Sequence, residues 1–105
     1  MTAEQFTAEY TALQEQKREI ESKMKALREA YVNTLPFKVG DCISIDNKYH
    51  PVPKAWIDKI TADPIFPHKV NLWYCRPKKD GTKSIRIEHD SYVSIEDIQV
   101  ITETL

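Results

Sequence analysis

The chain has 105 residues and a mass of 12.2 kDa, room for one ordinary domain plus an appendage. Apolar residues at 41% and charged residues at 30% can build a core, and they exclude a wholly disordered, collagen-like or membrane-spanning chain. A formal net charge of -1 gives no global pull toward nucleic acid or acidic membrane, and two glycines, Gly40 and Gly81, leave no material for a Gly-rich phosphate loop.

Thr2 and Gln5 have the spacing of a capping box, and no Gly or Pro interrupts residues 3–33, so the sequence predicts a single long helix over 1–35. Its apolar positions are Phe6, Tyr10, Leu13, Ile20, Met24, Leu27 and Tyr31; with Lys17 inserted they alternate by four and three, a heptad stripe. With Phe6, Leu13, Ile20 and Leu27 at position d, position a holds Tyr10, Lys17, Met24 and Tyr31, a poor set for a tight parallel dimer. A parallel register would also set Lys23 against Arg28. The expected pairing is therefore antiparallel, or against the rest of the same chain.

Pro36 ends the helix, and from there the period switches from 3.6 to 2. Val39, Ile43 and Ile45 alternate with polar residues as a first strand entered through Gly40. Asn47, Pro51 and Pro53 mark a loop, residues 55–62 a second strand, and Asp63-Pro64 with Pro67 a turn before a third strand over 69–76. Asp80-Gly81 predicts a tight hairpin that pairs 69–76 with 83–89, burying Ile85 and Ile87 beside Ile43, Val70, Leu72 and Tyr74. Residues 94–97 read as one helical turn and 98–101 as a short closing strand.

Five strands in this order, with Phe37-Lys38-Val39-Gly40-Asp41 opening the first, Asp80-Gly81 at the hairpin and Ser94-Ile95-Glu96-Asp97-Ile98 turning into the last, resemble a Src-homology-3-like small barrel. The likeness covers residues 37–102 and lies at the level of fold. The expected fold class is therefore α+β: a long N-terminal amphipathic helix (1–35) followed by a five-stranded antiparallel Src-homology-3-like barrel (36–105). Similar barrels, Tudor-like and KOW-like ones among them, mainly bind peptides, modified side chains or nucleic acid. A 31-residue helix is roughly 46 Å long and a 70-residue barrel roughly 28 Å across, so the barrel cannot cover the whole stripe. Cys42, Trp73 and Cys75 are expected to point outward, with residues 20–31 of the helix as a candidate cover.

Three groups of residues carry possible binding. The outer helix, through Phe6, Tyr10, Leu13 and Ile20, offers self-association as a homodimer or other homo-oligomer. The loops gather Tyr49, His50, Trp56, Phe66 and His68, rigid aromatics of the kind small modules use to bind protein partners, or plugs for the barrel ends. Arg76, Lys78, Lys79, Lys83 and Arg86 put five cations in eleven positions, a possible nucleic-acid contact or a solvated hairpin tip. Residues 36–105 carry ten Lys+Arg and ten Asp+Glu, which favours the tip. No catalytic signature, cofactor motif or metal-ligand spacing is evident: His50, His68 and His89 are scattered, and Cys42 and Cys75 have no CxxC context and read as free thiols. The start has no secretory or transit character, so the expected address is cytoplasmic. The reading that follows is a non-catalytic protein-interaction and assembly module, of a size that suits a bacterial or phage accessory protein; the alternative is a nucleic-acid-binding accessory protein using hairpin 76–86.

Overall fold

A computed structural model describes residues 1–101; residues 102–105, the end of the expected second domain, lie outside the described residues. Helix α1 (Ala3–Asn33) starts at the capping box: the Thr2 side chain accepts the Gln5 N–H at 3.1 Å and the Gln5 side chain accepts the Thr2 N–H at 2.9 Å. These two bonds satisfy donors that a helix start otherwise leaves open. At the other end the Thr34 and Leu35 N–H groups donate back to Tyr31 and Val32, and Pro36 prevents continuation.

Strands β1 (Cys42–Ile45), β2 (Val52–Ala62), β3 (Lys69–Cys75), β4 (Glu88–Ser94) and β5 (Ile98–Val100) form one antiparallel sheet in the order β4-β3-β2-β1-β5, with a three-residue 3-10 turn, Ile95–Asp97, before β5. The fold is therefore α+β, one long helix followed by five antiparallel strands. The expected barrel is not closed, however, because β4 and β5 remain edges that do not pair with each other. The two edges of a flat five-stranded sheet lie roughly 19 Å apart, whereas three residues of 3-10 helix rise about 6 Å. The sheet must curl to let so short a link join its edges. The sheet ends there: β5 is only three residues long and pairs with β1, through Ile43↔Val100 and Ile45↔Ile98.

Inside the curl sits one core: Leu35, Phe37, Ile43, Ile45, Val52, Ala55, Ile57, Ile60, Val70, Leu72, Tyr74, Val93 and Ile98, with Val32 and Ile95 packed against it. Leu35 and Phe37 anchor the helix exit in the sheet. Val39 belongs instead to a turn over residues 38–41, where Gly40 has φ 93° and the Asp41 carboxylate accepts the Lys38 N–H at 2.8 Å, so β1 starts only at Cys42 and Val39 is exposed. In β2 a bulge between Ile57 and Lys59 shifts the alternation, which is why Ala55 and Ile57 are buried on one parity and Ile60 on the other.

The hairpin expected from Asp80-Gly81 forms at its tip only. The Lys78 N–H donates to the Thr82 carbonyl at 2.7 Å, Gly81 takes φ 87°, and Pro77 bridges Lys83. The Ser84 N–H donates to the Arg76 carbonyl at 2.9 Å on the sheet side of that bridge, and beyond it two extra residues loop out before the ladder resumes at Tyr74↔Glu88. The partner of β3 is therefore 88–94 rather than 83–89. Ile85 and Ile87 lie outside the core, Ile85 at 92% exposure, and Val93 fills the place expected for them.

Candidate interaction surfaces

The most unusual surface is α1 itself, which has no buried residue. Phe6, Tyr10, Leu13, Ile20, Met24 and Leu27 are each between 50% and 72% exposed along one stripe. Only the last turns touch the sheet. The Tyr31 hydroxyl donates to the Pro67 carbonyl, and Leu27, Arg28 and Tyr31 face Ala62, Asp63, Pro64 and Pro67 across a cleft of about 350 Å³. A second cleft separates Lys25, Arg28, Glu29 and Val32 from the end of β2. The chain spans 69 × 28 × 26 Å with a radius of gyration of 19.8 Å, against about 13 Å for a compact chain of this length.

The expected helical cover of Trp73 is replaced by cross-strand neighbours. Lys59, Trp73 and His89 stand in register on β2, β3 and β4; His89 stacks on the indole at 4.2 Å, and the Lys59 amine lies 4.9 Å from the ring centroid. Cys75 shares the parity of Trp73 and stands outside the core cluster, as expected, but it is covered: it is buried, and Trp56 is its partner in register as well as that of Cys42. Two thiols separated by a whole strand have Cα atoms roughly 10 Å apart, beyond the span of a disulfide. Neither cysteine is in a disulfide.

The loop aromatics fall into separate groups. Trp56 is half-buried in mid-β2, with the Lys54 amine 5.3 Å from its ring. Phe66 sits in the β2–β3 turn and meets Tyr92 edge-on at 5.1 Å, while Tyr92 itself has a positive φ of 56°. His68 lines a cleft with Tyr31, Leu35 and Ile95. Tyr49 and His50 follow Asn47, whose side chain accepts both their N–H groups, and His50 shares a cleft with Asp90, Tyr92 and Asp97. Trp56 and Phe66 are ten residues apart along an extended strand and its turn, so the five residues do not make one groove. Tyr92, which joins Phe66, was not singled out by the sequence because its partner depends on the β4 register.

The basic hairpin is only partly free. The Arg76 Nε donates to Glu88 at 2.8 Å and the guanidinium lies over the Tyr74 ring, which leaves Lys78, Lys79, Lys83 and Arg86 exposed at the tip. Asp80 is engaged by the Thr82 hydroxyl at 2.6 Å, and that bond holds its carboxyl below the usual range. Beneath the hairpin the Tyr74 hydroxyl donates to Asp90 at 2.8 Å; burial, and then that bond, push the hydroxyl up to about 12. Among the described residues no group of three or more His, Cys, Asp and Glu side chains is placed to hold a metal ion, and no helix is long and apolar enough to cross a membrane. No protein-family model, curated protein or solved structure matches the chain.

Proposed function

We propose that this chain is a non-catalytic assembly module that self-associates through α1, leaving the curled sheet to engage other partners. The observation that carries the reading is a 31-residue helix with no buried residue and a stripe of large apolar side chains interrupted at Lys17. Isolated helices gain little from propensity alone, so a stripe of this kind is stabilised by what covers it. Fully burying one such side chain contributes about 1.5–3 kcal/mol, and six repeat on each copy. The sheet reaches only the last two turns, so the cover has to come from another helix, and a second copy brings a matching stripe. The strand order and the helical turn before β5 support the likeness to Src-homology-3-like barrels. Two cysteines outside any disulfide fit a reducing compartment such as the cytoplasm.

Sedimentation equilibrium tests the reading. The chain should have twice its 12.2 kDa mass at micromolar concentration, and Leu13→Gln with Ile20→Gln should return it to a monomer without changing the fluorescence of Trp56 and Trp73 in the sheet. A wild-type chain that stays monomeric at 100-fold higher concentration overturns it. Nucleic-acid binding by the hairpin is the weaker reading, because Arg76 is paired with Glu88 and the Trp73 face is already stacked.

A further inference from the structure

We propose that two copies of α1 pair antiparallel in one register, in which residue i of the apolar stripe on one helix lies beside stripe residue 30 − i of the other, and flanking positions on either side of the stripe pair two residues off that sum. The inference rests on the self-association reading and adds its geometry. In this register Phe6 meets Met24, Tyr10 meets Ile20, and Leu13 meets the stem of Lys17, whose amine lies 4.0 Å from Glu21 of its own helix. Ala3, the small residue of the stripe, meets Leu27, which borders the cleft against residues 62–67 of its own chain.

Two independent arguments select the register. The first is steric. Sliding the helices one heptad further together would set Phe6 against Tyr31, which is tied to Pro67, and would drive residues 1–5 alongside 32–36, where Leu35 enters the core. Sliding them one heptad apart would leave Met24 and Leu27 uncovered on both copies. The second is charge. Flanking residues in an antiparallel pair face their own kind of position, and here Glu9 of each copy faces Lys23 of the other, two opposite-charge pairs related by the dyad. Gln14 and Gln16 fall on the dyad, each facing its own copy as a neutral amide. A parallel pair would instead set Lys23 against Arg28 twice, and the closer antiparallel register would set Lys23 against Gln16.

These alternatives predict different signs for one substitution. In the proposed register Lys23→Glu faces Glu9 and should weaken dimerisation of the full chain roughly tenfold at low salt, as should Glu9→Lys. The double variant Glu9→Lys/Lys23→Glu should return to within about threefold of wild type, which separates charge pairing from loss of helix, since all three carry the altered helix surface. Dilution series by sedimentation, with circular dichroism alongside, read all four proteins. Tighter dimerisation by Lys23→Glu overturns the proposal in favour of a parallel pair, and an unchanged constant overturns it in favour of another register. A double variant as weak as the singles also overturns it. A monomeric wild type removes the self-association reading itself, and the register with it.

Discussion

Tyr74 is a buried side chain whose ionisation reports on the fold from solution. Its hydroxyl gives its proton to a bond with Asp90, and the folded state holds that proton up to about 12, above the ordinary 10.0. The folded value is the higher one, so the stabilisation is fully present below pH 10 and is lost as pH rises from 10 toward 12. Urea unfolding across that window should show stability falling by about 2 kcal/mol in wild type, with a flatter alkaline limb in Tyr74→Phe, which loses about 1 kcal/mol at neutral pH instead. An equal slope in the two proteins would show that another group controls it. Residue-scale reading of the sequence succeeded where local chemistry decides, as at Gly40, Gly81 and the Thr2–Gln5 box. It failed at Ile85 and Ile87, whose alternation fits a strand. The ladder passes Pro77, since the Ser84 N–H still donates to the Arg76 carbonyl, and breaks only beyond it, where two extra residues loop out and carry Ile85 and Ile87 away from the sheet.

At the scale of elements, the helix boundaries were legible because caps and prolines act locally, and five strands were legible from turn residues and alternation. The β4 register was not, because it follows from which segment can bury Val93 beneath the curled sheet. The surface on α1 was read from spacing alone. The loop aromatics share a composition but not a place, since sequence proximity to loops does not bring Trp56 and Phe66 together. Phe37 has no exposed surface and links α1 to the sheet. Phe37→Ala should cost about 3–5 kcal/mol in chemical denaturation of the sheet. Leu13→Gln, on the free helix, should leave that transition in place within about 0.5 kcal/mol when measured on monomer. Equal losses from the two would mean that the helix and the sheet share one core.

For the whole molecule, the proposed register makes a length prediction. The helices overlap over about 25 residues, or about 37 Å, and the sheets project from opposite ends. From a single-chain span of 69 Å the dimer should then reach roughly 100 Å; a parallel pair would stay near the single-chain length with its sheets side by side. Small-angle scattering distinguishes the two by maximum dimension. The pairing of β1 with β5 also sets an order of events during synthesis. The outer edge of β1 has no partner until residues 98–100 are made, whereas α1 is complete by residue 33. At about 5–20 residues per second, roughly 3–13 seconds separate the two. Over that interval α1 is complete on a chain whose sheet is still unfinished, and on the proposed pairing two nascent chains on neighbouring ribosomes would join before either has folded the rest of itself.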